Sequence, residues 1–331
     1  MKQVSVSETD AGQRLDKYLH KILTQAPKGF LYKMLRKKNI TLNGKKAGGS
    51  ERLCPGDEIQ MFLSQETLDK FSEPHPAETA RQSLEQEPDI IYEDDQVLLL
   101  NKPCGVLSQK SCPEDYSLSE WVRDYLCRGG KAAGFSPGVC NRLDRNTSGI
   151  VAAGKSVRAQ QELSAMFQKR QMGKYYLCPV QGILKQQEHL RGYLQKSESQ
   201  NKVFIWEDKK TGGLGRDKRD YVETVYRPLG DNGRLTLLEV QLITGKTHQI
   251  RAHLAQTGHP VSGDRKYGLP GAKGDTAWQQ GLRHQMLHAW KLEFPECTGL
   301  LKELSGMRYA AELPGDFRSF LEREHLEECM P

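Results

Sequence analysis

Nine consecutive residues carry the most distinctive chemistry of the chain: Asn141-Arg142-Leu143-Asp144-Arg145-Asn146-Thr147-Ser148-Gly149. An acid with arginine two places before it and one place after, in a run ending Thr-Ser-Gly, suits neither a core nor a helix. It reads as a loop leading into the apolar strand Ile150-Val151-Ala152-Ala153. A nearby guanidinium keeps a carboxylate ionised, the state that a nucleophile or a base requires. A surface Arg–Asp ion pair in a turn is the commoner use of such spacing, so the residues alone leave both readings open.

Other chemistry thins out on inspection. His284 and His288 are four apart, but no Glu follows His284 as the zinc-peptidase helix needs. His248 and His253 are five apart, a poor spacing for a shared metal. Asn146-Thr147-Ser148 spells a glycosylation sequon, yet no apolar leader segment is read at the N-terminus. There is no Gly-x-Ser-x-Gly elbow, no P-loop and no dinucleotide fingerprint. The eight cysteines include no Cys-x-x-Cys pair, so scattered reduced thiols are expected rather than disulfides or a zinc ribbon. No metal and no small-molecule cofactor is expected.

The elements that must position the acid follow from length and pattern. The 331 residues suit one large domain and a small one. Apolar runs such as Val97–Leu100 are far too short for a membrane span, and a cytoplasmic protein is expected. The net charge of +6 is unevenly spread: +6 over residues 1–64, −5 over 65–90 and +5 over 91–331. This predicts a basic head, an acidic mobile linker and a larger body, with a polyanion as partner of the head.

In the head, Leu15, Tyr18, Leu19, Ile22 and Leu23 keep helical spacing, and Phe30, Leu31, Met34 and Leu35 mark a second short helix. Ile40-Thr41-Leu42 reads as a strand, Asn43-Gly44 as a two-residue hairpin turn, and Glu58–Leu63 as the closing strand. This places Arg36, Lys37, Lys38, Lys45 and Lys46 near one edge as a ridge suited to phosphates. In the body, strands are expected at Val97–Leu100, Ile150–Ala153, Tyr175–Val180, Tyr221–Tyr226 and Leu292–Phe294. Leu238, Val240 and Leu242 alternate with Glu239 and Gln241, predicting a half-buried strand. Helices are expected around Leu118–Tyr125, Ala159–Phe167 and His248–Gln256, the last capped by Thr247. Lys196–Lys218, with its glycines at 212, 213 and 215, reads as a loop. The class is α+β, with a mixed or antiparallel sheet flanked by helices and loops.

Arg142-Leu143-Asp144 followed by Thr147-Ser148-Gly149 resembles the catalytic motif of the RluA-type pseudouridine synthases. Leu100-Asn101-Lys102-Pro103, Lys174-Tyr175-Tyr176-Leu177, Thr244–His253, Gly258-His259-Pro260, Gly263-Asp264, Tyr267-Gly268 and Leu287-His288-Ala289 resemble further segments of that family in the same order. The likeness covers about residues 90–320 and is closest to the RluC/RluD branch, which modifies large-subunit ribosomal RNA. Residues 12–63 resemble the alpha-L RNA-binding domain of a small-subunit ribosomal protein. Two departures stand out: Asn141 occupies the place of a usual His, and Lys246 that of a usual Arg.

The resemblance implies isomerisation of uridine to pseudouridine in structured RNA, ribosomal RNA foremost, a reaction that fits the absence of cofactor motifs; nothing in the sequence demands more than a monomer. It implies Asp144 as nucleophile or base, Arg251 as the cation that holds it ionised, Tyr176 as a ring stacked on the uracil, and Arg142 as the side chain filling the vacated base stack. The competing expectations are transfer RNA as substrate, a non-catalytic ribosome-assembly factor, and a carboxylate nucleosidase. The last would normally need a second acid.

Overall fold

The computed structural model describes residues 2–72, 83–127, 135–197, 202–206, 219–268, 281–282 and 284–331. The N-terminal part contains β1 (Lys2–Ser5), α1 (Leu15–Ile22), α2 (Lys28–Arg36), β2 (Ile40–Leu42), β3 (Lys45–Lys46) and β4 (Glu58–Met61). Its antiparallel sheet has the order β1-β4-β2-β3. Leu15, Tyr18 and Leu19 bury the inner stripe of α1 against Leu31 and Leu35 of α2 and against Ile40 and Ile59 of the sheet. Asn43 and Gly44 both take positive φ, 51° and 70°, as the twisted two-residue hairpin demands. β3, with Lys45 and Lys46 exposed, therefore forms the sheet edge, as the spacing predicted. β1 was not anticipated.

The acidic linker needs correction at both ends. Gln65–Ser72 is a helix, α3, whose Leu68 is buried and whose Phe71 ring sits 4.7 Å from that of Phe30. Ser64 accepts the Thr67 N–H and so caps it. Two apolar residues three apart were too little to reveal a period in an acidic run. Asp89 and Ile90 already belong to β5 (Asp89–Glu93). Residues 73–82 lie outside the described residues.

The body is built on a ten-stranded mixed sheet. To β5 are added β6 (Val97–Lys102), β7 (Ser148–Gly154), β8 (Gly173–Gln181), β9 (Glu188–Ser197), β10 (Lys202–Trp206), β11 (Asp220–Asp231), β12 (Leu235–Leu242), β13 (His288–Glu293) and β14 (Arg308–Ala310). The order is β10-β9-β11-β12-β8-β13-β7-β6-β5, with β14 on β13. All pairings are antiparallel except β13 with β7, which run parallel. Among the described residues its α-helices are α4 (Leu118–Cys127), α5 (Val157–Gln168), α6 (Gln249–Gln256) and α7 (Gly315–Arg323).

β6 and β7 are apolar on both faces because both are covered. Leu98, Leu100 and Val151 join the core beneath α6, while Leu99, Ile150 and Ala152 meet Leu163 of α5. Two body expectations change. Glu239 of β12 is buried rather than turned to water, because Arg227 and Lys291 reach its two oxygens at 2.9 and 3.3 Å. The expected loop 196–218 contains β10, whose Val203 packs with Leu194 and Val222; its glycine-rich part lies outside the described residues.

Gly149, at the start of β7, shows why the motif ends in glycine. Its φ is +112°, and a Cβ there would stand 2.2 Å from the Ala289 carbonyl oxygen on β13. Gly149→Ala is expected to cost about 2–4 kcal/mol and lower the melting temperature, since backbone strain and a backbone clash combine. An unchanged melting curve would show that β7 and β13 can separate at no cost.

Candidate active site

Asp144 sits in the loop before β7, and both of its flanks are pinned. On one side the Leu143 N–H donates to Ser108 Oγ at 3.0 Å, and that hydroxyl donates to the Leu143 carbonyl at 2.9 Å. On the other side Lys102 Nζ donates to the Arg145 carbonyl at 3.0 Å, and to the carbonyls of Pro103 and Val106 at 2.8 Å each. Lys102 is fully buried, and burial pushes its pKa down to about 7. The Thr147 N–H closes the turn on the Asp144 carbonyl at 3.0 Å. Asn141 explains its own departure from the family pattern: its amide donates to the Ile150 carbonyl at 3.1 Å and accepts the Ala152 N–H at 2.9 Å. One short side chain thus stitches the loop to β7 with two bonds.

The cation comes from α6, as expected. Arg251 Nη1 donates to Asp144 Oδ2 at 3.0 Å. On its other side Arg251 grips Asp264 with a two-pronged contact, Nε to Oδ2 at 2.6 Å and Nη2 to Oδ1 at 2.9 Å. The Asp264 side chain is completely buried, and its Oδ1 also accepts the N–H groups of Lys266 and Tyr267. Burial alone would raise the Asp264 pKa; hydrogen bonds and charge from Arg251 outweigh it and hold the carboxyl below its ordinary value. Arg251 is therefore fixed before substrate arrives, with one fork left for Asp144.

The start of α6 differs from expectation. Thr247 does not cap it; His248 precedes the helix in a left-handed conformation, φ 54°. The start is instead stapled by buried Gln249, which accepts from Thr244 Oγ1 and the Lys246 N–H and donates to the Glu223 carbonyl and Thr224 Oγ1. The turn brings His248 Nε2 to 3.8 Å from Asp144 Oδ2, while its Nδ1 lies 3.1 Å from the Tyr267 hydroxyl. That hydroxyl accepts the Val203 N–H at 2.8 Å, and the Tyr267 ring lies 5.2 Å from the Arg251 guanidinium. Lys246 makes one point contact, 2.8 Å to Asp220 Oδ1, as a lysine in an arginine's place must.

Asp144 and Arg251 open into a cleft of about 790 Å³ whose apolar wall includes Tyr176, Leu143, Leu242, Ile250 and Leu287. Tyr176, on β8, is both things the sequence allowed: a core aromatic, 6% exposed, and a wall of the cleft. Burial, and then the Asp144 charge, raise its phenol pKa, so it stays neutral. Arg142 is exposed at the cleft rim. The structure thus unites Asp144, Tyr176, Arg251 and Arg142. Arg36, Lys37, Lys38, Lys45 and Lys46 do not line the cleft; all five are exposed in the N-terminal part, at the end of α2 and on β3.

Sequence reasoning gave no role to Asp264, Lys102, Ser108 or His248. Among the described residues no group of three or more His, Cys, Asp or Glu could hold a metal ion, and no helix is long and apolar enough to cross a membrane.

A mixed sheet that sets one carboxylate on a clamped arginine, beside the apolar wall of an open cleft, can present that carboxylate to a substrate lying against the wall. Residues 96–256 match the family profile described as RNA pseudouridylate synthase. The chain is 32% identical over 293 residues to ribosomal large subunit pseudouridine synthase C of Vibrio vulnificus (strain CMCP6), covering 88% of this chain and 87% of that one. It is 30% identical over 305 residues to the protein of the same name from Escherichia coli (strain K12), covering 89% and 88%. The fold is shared with human RNA pseudouridylate synthase domain containing 4, with a TM-score of 0.58 and 22% identity over 73% of this chain and 94% of that one. The chain belongs to the RNA pseudouridylate synthase family. It is an RNA pseudouridine synthase, an isomerase whose substrate is uridine in RNA.

Proposed function

We propose that the chain isomerises uridines of large-subunit ribosomal RNA in the cytoplasm, as a monomer, with Asp144 starting the reaction. The observation that carries the site assignment is the Asp264–Arg251–Asp144 chain beside the cleft: a buried clamp that keeps one half-buried carboxylate oriented. The ribosomal substrate is supported by the relatives that are similar over nearly the whole chain.

The target uridine leaves its stack to enter the cleft. The bond between uracil N1 and ribose C1′ breaks, the ring turns, C5 bonds to C1′ and the C5 proton leaves. Nothing is oxidised: N1 gains a proton as C5 loses one, so substrate and product contain the same atoms. Asp144 acts as the nucleophile or base that opens the sequence; Tyr176 carries the uracil ring during its turn. Arg142, with a planar guanidinium at the rim, fills the gap left in the RNA stack.

The N-terminal part is proposed to be an alpha-L-type RNA-binding domain. Arg36, Lys37 and Lys38 end α2 next to the Lys45-Lys46 edge, and none of the five forms an ion pair among the described residues. Replacing Lys37, Lys38, Lys45 and Lys46 together by Gln is expected to weaken RNA binding. The slope of log K against log salt should fall by up to about 3, as loss of four phosphate contacts requires. An unchanged slope would remove the head from the docking surface. Mapping new pseudouridines in large-subunit ribosomal RNA and in transfer RNA side by side tests the substrate. Sites in transfer RNA alone would overturn the ribosomal assignment.

A further inference from the structure

Asp144 lines two cavities. Besides the cleft it borders a second pocket of about 260 Å³ walled by Arg145, Arg251, Arg265, Lys266 and His284. The charges on this wall are lopsided. His284 Nε2 stands 3.0 Å from Asp316 Oδ2, and that hydrogen bond raises its pKa to about 10, so it is a cation at neutral pH. Among the described residues, five cations thus face one carboxylate on the lining. Of the acids that support them, Asp264 is fully buried behind Arg251, and neither it nor Asp316 lines the pocket. The crowding has a measurable signature: burial, and then repulsion from Arg251, lower the Lys266 pKa. An anion seated in the pocket would relieve that repulsion.

The pocket is not a separate site on a remote surface. Arg145, His248 and Arg251 line both it and the cleft, as Asp144 does. A nucleotide with its uracil against Tyr176 and its ribose over Asp144 has to send its backbone out past the residues the two pockets share. We propose that the second pocket receives a backbone phosphate adjoining the target uridine, held by Lys266, Arg265 and His284. The inference rests on the reading of Asp144 as the catalytic group and adds where the strand is gripped. Three arginines and a lysine around a small pocket suit a phosphodiester, whose two free oxygens take several charge-assisted bonds at once. The grip would fix the ribose relative to Asp144, which an apolar wall for the base cannot do alone.

The test measures protection of Lys266 in the full chain. Its amine is acylated with a water-soluble reagent, and the rate is read by mass spectrometry with no addition, with triuridylate and with inorganic phosphate. Triuridylate is expected to slow Lys266 acylation at concentrations where inorganic phosphate does not. In Arg265→Gln, at an exposed position, the protecting concentration should rise about tenfold, as loss of one charge-assisted contact implies. Equal rates with and without triuridylate would overturn the proposal. Protection by inorganic phosphate at equal or lower concentration would overturn it too, making the pocket a free-anion site. Pseudouridine formation on ribosomal RNA by the same preparation is scored separately. Its failure with Lys266 protected would sink the reading of the reaction and leave the phosphate site standing.

Discussion

Asp144→Asn is expected to abolish pseudouridine formation, by at least about 10⁴-fold, the scale on which removal of a nucleophile or base acts. The substitution is nearly isosteric, and the flanks of residue 144 are held by groups that do not touch its carboxyl: Ser108 on Leu143 and Lys102 on Arg145. An amide oxygen can still accept from Arg251. The fold should therefore survive with a stability change of about 1 kcal/mol or less, and RNA should bind close to normally. The discriminating pair of measurements is turnover and affinity on one RNA. Residual turnover within a hundredfold of the parent would remove Asp144 from its role, and loss of affinity would recast it as a binding residue.

Asp264→Asn is expected to act nearly as strongly without touching substrate. It removes the carboxylate that compensates Arg251 from behind, in a place with no access to water. Breaking a buried pair in this way costs about 3–5 kcal/mol, because a cation is left where its partner was. Arg251 would then swing or share Asp144 differently, so kcat should fall more than KM rises. The pH dependence gives an independent check. The folded carboxyl of Asp264 is held below its ordinary value of 3.8. Its stabilising contribution is thus present above that value and is lost as pH falls through the lower folded one. The parent should lose stability through this acid range, and Asp264→Asn should show a flatter acid limb by direct denaturant titration. An unchanged limb would mean that Asp264 is not ionised by Arg251.

Sequence and structure agree where a local pattern dictates the outcome. Asn43-Gly44 forms its hairpin because the dihedral signs of a two-residue turn are a property of two residues. Leu15, Tyr18 and Leu19 line the inner face of α1 because period and burial coincide. Asp144 and Arg251 were legible only through resemblance, since their 3.0 Å contact joins positions 107 residues apart and leaves no periodic trace. The same reason hid Asp264, a buried acid among Gly and Arg whose meaning depends on a helix above it. It hid Lys102 too, an apparent surface lysine that ends inside the protein on three carbonyls. Glu239 misled because alternation signals a wet face only when nothing covers it; Lys291 and Arg227 cover this one. The helix at Gln65–Ser72 was obscured by acidity that speaks to solubility rather than to backbone conformation.

The central claim is that this site moves the ribose bond of uridine from N1 to C5 under the control of Asp144, and release of the uracil C5 hydrogen reports on it directly. Ribosomal RNA carrying tritium at uracil C5 would be incubated with the full chain and with Asp144→Asn. The account predicts tritium in the solvent, in proportion to new pseudouridines, from the parent chain alone. Absence of tritium release from the parent, or release of free uracil leaving abasic sites behind, would contradict it.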